Sequence, residues 1–110
     1  MSYVLGPKSE AFALRMIKLY KVLCHDRHEL VLSKQLLRSG TSIGANVAEA
    51  VYAQSKADFI SKYRIALKEA SESAYWLRLL YKSEYINYEE FKSLNADCSE
   101  LIRMLAAAVK

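Results

Sequence analysis

A chain of 110 residues, 53% of them hydrophobic, with one proline and three glycines, has the size of one helix-favouring domain and lacks the punctuation of a many-stranded fold. No apolar run approaches the ~18 residues of a membrane span. The start, Met1 to Pro7, has neither the basic residues nor the apolar core of a secretory signal, so the expected location is the cytoplasm. The net charge of +4 is unevenly spread. Residues 1–47 hold seven bases (Lys8, Arg15, Lys18, Lys21, Arg27, Lys34, Arg38) against three acids (Glu10, Asp26, Glu29), and the rest holds nine of each. A basic half can track phosphates, although a solvated face is the plainer reading of charge alone.

The first helix is expected over about residues 7–24. Pro7 suits a first-turn position, where its missing N–H costs nothing. Ala13, Met16, Ile17, Tyr20 and Leu23 form its stripe, with Phe12 and Leu19 lying off it. Asp26 and Glu29 read as the cap of a second helix over about residues 27–53, carrying Leu32, Leu36, Ile43, Val47 and Ala50.

The third helix, about 56–82, is the clearest. Ile60, Tyr63, Leu67, Ala70, Ala74, Leu77 and Tyr81 follow a 3-4-3-4-3-4 spacing, the seam of a helix packed against others. Phe59, Ala66, Ser73 and Leu80 recur every seven residues beside that seam. Ser55 and Asp58 supply its start signal. The fourth helix, about 88–109, steps through Phe91, Leu94, Cys98, Leu101, Leu105 and Ala108, and Asn87 with Glu90 marks its beginning. The short connection at 82–87 makes helices three and four antiparallel. The predicted fold is all-α, an up-down-up-down antiparallel four-helix bundle.

Helix two carries a mixed message in Arg38-Ser39-Gly40-Thr41-Ser42-Ile43-Gly44-Ala45-Asn46-Val47-Ala48-Glu49-Ala50. Gly40, Gly44 and Ala48 lie four apart and form a ridge without bulk. Each glycine costs ~1 kcal/mol relative to alanine in a helix, and close approach of a neighbour is the natural compensation. Ser39, Ser42, Asn46 and Glu49 form a second, polar line. An inward glutamate needs hydrogen bonds or a cation, so this line is expected to join Lys68, Glu69, Ser71, Glu72 and Ser73 of helix three in an inter-helix network. The competing reading is a catalytic or ligand site built on Asn46, Glu49, Glu69 and Glu72, but no nucleophile–base pair accompanies them.

Cys24 and Cys98 each sit in an apolar helical pattern and read as reduced, buried thiols. His25 and His28, with Asp26 and Glu29, resemble a fragment of a zinc site. No other helix offers further ligands, so solvated loop residues are the better reading. Neither phosphate-binding glycine loop nor repeated Glu-x-x-His is present, and no cofactor is expected. Tyr3, Tyr52, Tyr75, Tyr85 and Tyr88 fall outside the main seams, and tyrosine suits half-buried interfaces.

Arg38-Ser39 through Ser42-Ile43, with Asn46-Val47-Ala48-Glu49-Ala50, resembles the signature of the four-helix-bundle proteins encoded in intervening sequences of bacterial 23S ribosomal RNA genes. Phe59, Ile65-Ala66-Leu67, Glu69-Ala70-Ser71, Glu72 and Trp76-Leu77 are similar to the same family, and the resemblance covers about residues 8–109. That pattern usually has glycine after Ala-Glu, whereas Ala50 here would let helix two run on. The resemblance implies a small bundle assembling as a ring, typically a homopentamer. It also implies kinship with basic accessory proteins of diversity-generating retroelements, which are thought to engage nucleic acid.

The first functional expectation is therefore a non-enzymatic oligomeric scaffold binding RNA or DNA through Lys8, Arg15, Lys18, Lys21, Lys34 and Arg38. The alternatives are a protein–protein adaptor without nucleic-acid binding, and an enzyme using the polar line. Ser39, Ser42, Asn46, Glu49, Glu69 and Glu72 are its expected structural polar network.

Overall fold

The computed structural model describes residues 2–110, excepting the side chains of residues 2 and 3; the expectation for Tyr3 lies outside the described residues. Four helices follow in order: α1 (Ser2–Asp26), α2 (Leu32–Ala50), α3 (Lys56–Lys82) and α4 (Tyr88–Ala108). There is no strand among the described residues. Each helix packs on its neighbours in sequence, and α1 meets α4 more sparsely to close the bundle. Every pairing is antiparallel. Gly40 and Gly44 of α2 face Met16 and Ser9 of α1, Ser39 meets Ser73, and Lys8 and Arg15 meet Glu100 and Asp97. The result is a rod of 44 × 20 × 18 Å.

The seam of α1 differs from expectation. Leu5, Ser9, Phe12, Met16 and Leu23 are buried and Leu19 is partly buried, whereas Ile17 is exposed. Steps of four and three through Leu5, Ser9, Phe12, Met16, Leu19 and Leu23 hold one face, and the small polar Ser9 hides that rhythm in the sequence. The same burial carries the helix past its expected start. Leu5 is packed in the core, so α1 begins ahead of Pro7, which sits inside the helix on its exposed side. The Ser9 hydroxyl donates to the Gly6 carbonyl at 3.1 Å.

The seam of α3 runs between the two expected lines, through Tyr63, Ala66, Ala70, Ser73, Leu77 and Leu80. In α4 it is Leu94, Cys98, Leu101 and Leu105, with Phe91 at the margin and Ala108 exposed. The Cys98 thiol donates to the Ala70 carbonyl at 3.2 Å, and burial, with Asp97 beside it, pushes its pKa up to about 12.

Two of the four expected starts act as the residues suggest. Ser55 accepts from the Asp58 N–H, and Asn87 and Glu90 form a reciprocal capping box. α2 begins at Leu32, later than expected, because Glu29 alone does the capping. Its carboxylate accepts from the backbone N–H groups of Val31, Leu32 and Ser33 at 3.1, 2.9 and 2.6 Å, while Asp26 pairs with His25. α2 also stops at Ala50 rather than running to Ala53. Val51, Tyr52 and Ala53 each donate three residues back, a tightened final turn. At the far end of α3, Tyr85 N–H reaches the Leu80 carbonyl and Glu84 N–H reaches Tyr81, a Schellman closure in which Glu84 holds φ 69°.

These contacts generate three expected outcomes. A Cβ on Gly40 would stand 2.5 Å from Met16 Cγ, so Gly40→Ala should lose about 1–2 kcal/mol in chemical denaturation despite its better helix propensity. A gain in stability would show that Met16 moves aside freely. Glu84→Gly removes a left-handed non-glycine residue and should raise stability by about 0.5–1 kcal/mol. Burial works to raise the pKa of Glu29, but its backbone donors outweigh it and hold the value below 4.5. The resulting stabilisation is present above the unfolded value and vanishes as pH falls through the lower folded one. Glu29→Ala should cost about 1–2 kcal/mol near neutrality, and melts taken below pH 4.5 should show the gap to wild type closing.

Candidate functional site

The polar line of α2 meets α3 inside the buried seam only at its first residue. Ser39 and Ser73 are both fully buried, with hydroxyl oxygens 2.8 Å apart. Each hydroxyl also has a carbonyl acceptor on its own helix, Ser73 that of Glu69 at 2.9 Å and Ser39 that of Leu36 at 3.4 Å, so either can donate to the other. One turn outward, Arg38 donates to Glu72 at 2.7 Å and stands 3.7 Å from Glu69, while the Trp76 indole N–H adds a 3.3 Å bond to Glu72. One Glu69 oxygen is buried without a hydrogen-bond partner, leaving the Arg38 charge as its compensation.

Beyond Ser39 the network departs from expectation. Ser42 donates to the Arg38 carbonyl, and Asn46 donates to the Ser42 carbonyl, both within α2. Glu49, expected to face inward, lies with 59% of its side chain exposed and pairs with Lys62 at 3.0 Å. The cause is geometric. Steps of 3-4-3 average less than the 3.6 residues of a helical turn, so the line walks round the helix from the seam into solvent. Asn46 and Glu49 therefore do not join Glu69 and Glu72 in one cluster. His25 bonds Asp26 in solvent and His28 occupies the turn at φ 56°; among the described residues no three metal-ligating side chains converge.

The six bases expected to touch phosphates fall into two groups. Lys8 pairs with Glu100 at 3.2 Å, and Arg15 with Asp97 at 2.6 Å and Ser93 at 2.9 Å, so acids of α4 neutralise both. Arg38 is held by Glu72. Lys18, Lys21 and Lys34 are exposed and make no ion pair among the described residues.

One surface feature was not foreseen. A groove of about 1230 Å³ runs between the first half of α1 and the second half of α2 and ends against the start of α3. Its walls include Ala13, Leu14, Gly44, Ala45, Ala48, Val51 and Phe59. Leu14 is 60% exposed and Val51 74%, and Tyr52, beside Val51, is 86% exposed. The small residues of the glycine ridge make the hollow: Gly40 and Gly44 let α2 lie on α1, and Ala45 and Ala48 leave its flank bare. Leu14, an apolar residue off every seam, was the available signal. Tyr75 and Tyr88 are exposed too, whereas Tyr85 is half-buried beneath the Arg27 guanidinium.

This arrangement has close counterparts. A crystal structure of a protein of unknown function from the S23 ribosomal protein family of Bacteroides thetaiotaomicron shares the fold at a TM-score of 0.96 and 52% identity, over 98% of this chain and 96% of that one. No curated protein matches the chain. Residues 5–107 match the family described as 23S rRNA-intervening sequence protein, and the chain belongs to that family.

Proposed function

We propose that this protein is a non-enzymatic cytoplasmic scaffold that assembles with copies of itself into a closed ring of five and binds nucleic acid through its positive excess. The observation carrying the proposal is the groove between α1 and α2. Its lining is largely small and apolar, with Glu10 and Lys56 its charged members, and includes the exposed Leu14 and Val51. Side chains of this kind offer area to a protein surface and few polar groups to orient a small substrate. A short bundle buries a modest share of its surface, so a second copy in the groove would supply core the monomer lacks. In the proposed ring the groove of one copy takes a different face of the next, a head-to-tail contact that closes when the rotation per copy closes. Multiplying a net charge of +4 around a ring makes a weak phosphate-binding surface useful.

Mass measured in dilute solution tests the assembly. Wild type is expected at about five times the 12.5 kDa of one chain. Ala48→Arg, which puts a long cation into the groove from an exposed helix position, should fall to one chain while keeping its helical circular dichroism. A wild-type mass of one chain at micromolar concentration defeats the ring. Repeating the measurement with RNA added at low salt tests the second half: a ring that retains none is an adaptor for proteins.

A further inference from the structure

The positive excess of the sequence lies in its first half, but the fold places the continuous cationic surface elsewhere. On α3, Arg64, Lys68, Ser71, Tyr75, Arg78 and Lys82 follow a 4-3-4-3-4 spacing, and all six are exposed. They form one line opposite the buried seam, about 27 Å long at the rise of an α-helix. No acid interrupts it. The three acids of α3 lie off the line: Asp58 caps the first turn, and Glu69 and Glu72 face Arg38 of α2. None of the four cations makes an ion pair among the described residues.

This is a costly way to solvate a helix. Arg64 and Lys68 are four apart, as are Arg78 and Lys82, and like charges at that spacing repel. Glu72 lies four residues beyond Lys68 and could have relieved it, but Arg38 holds that carboxylate at 2.7 Å. Tyr75 sits at the centre of the line, 46% exposed. Its ring is 5.1 Å from that of Trp76, and the Arg78 guanidinium lies 5.7 Å from its centroid. The Ser39–Ser73 bond sets the register between α2 and α3 and brings the exposed Lys34 level with Arg78 along the rod.

We propose that this face of α3 is the nucleic-acid-binding surface and that its ligand is a single strand. Cations spaced along the line follow the phosphates, and Tyr75 stacks with a base that a duplex would keep paired. Charge complementarity selects a polyanion, and the exposed ring between cations selects one with unstacked bases. The proposal rests on the nucleic-acid reading above and relocates it, since α4 neutralises Lys8 and Arg15 of α1.

The test uses the whole protein with a 20-nucleotide oligouridylate and a 20-base-pair duplex, binding being followed by fluorescence anisotropy across a salt series. The fourfold variant R64Q/K68Q/R78Q/K82Q should bind oligouridylate at least about tenfold more weakly, with a log–log salt slope shallower by about 3, the loss expected for four phosphate contacts to a single strand. Tyr75→Ala should weaken oligouridylate about tenfold or more while leaving the slope unchanged. K18E/K21E, which alters free cations of α1, should stay within about twofold of wild type. Thermal melts and solution mass confirm that each variant folds and assembles. If wild type binds neither probe at low salt, both the proposed function and this site fall. If wild type binds but K18E/K21E abolishes binding while the α3 variant keeps it, this site alone falls. Equal affinity for the duplex, untouched by Tyr75→Ala, overturns the single-strand assignment.

Discussion

The close seating of α2 against α1 is the constraint on which the rest of the bundle depends. Ideal Cβ atoms on Gly40 and Gly44 would lie 2.5 Å from Met16 Cγ and 3.3 Å from Ser9 Oγ, so larger side chains there would push the helices apart. At this separation Ile43 and Val47, three residues on from Gly40 and Gly44, reach the shared core and are almost fully buried. The glycines lower the intrinsic preference of α2 for helix, and the packing they permit offsets that. The seating also has an external consequence. A helix that lies low between larger neighbours leaves a hollow on its outer flank, and the groove bordered by Leu14 and Val51 is that hollow.

The far end of the rod is tied by backbone acceptors rather than by greasy contacts. Arg27, in the connection after α1, donates to the carbonyls of Tyr85 and Glu84 at 2.8 and 3.1 Å and lies over the Tyr85 ring. One side chain thus links the α1–α2 turn to the α3–α4 turn. Glu29 works on the same connection from within, joining three N–H groups of α2, while its own N–H closes on the Leu23 carbonyl. Charge-assisted bonds of this sort are the strong ones, and here they meet donors and acceptors that a helix end would otherwise leave bare.

The four helices were legible because apolar residues recur at helical spacing over long stretches, and because Ser55, Asn87 and Glu90 mark starts by their own chemistry. Where the reading failed, one of two physical causes was at work. Ser9 is a buried seam residue of polar type, and a hydrophobic pattern passes over it; with Ser9 unread, Ile17 took the place of Phe12 and Leu19. The second cause is angular drift. The expected line from Ser39 to Glu49 begins in the core and finishes in water because its steps fall short of a full turn. The groove was illegible for a different reason: it is made by what small residues leave open between two helices, and no single helix pattern contains it.

Charge shows the same limit most clearly. Counted along the chain, the bases of α1 and α2 are in excess and those of the second half are balanced. Folding re-sorts them. α4 brings Asp97 and Glu100 to Arg15 and Lys8, and Arg38 leaves the excess to hold Glu72. Within the second half α3 carries six bases against three acids, two of those acids face Arg38, and the outer line of α3 stands positive from Arg64 to Lys82. Exposed ion pairs of this type add little to stability. Their larger effect is to decide where the unpaired charge appears, and so which face of the rod a polyanion would meet first.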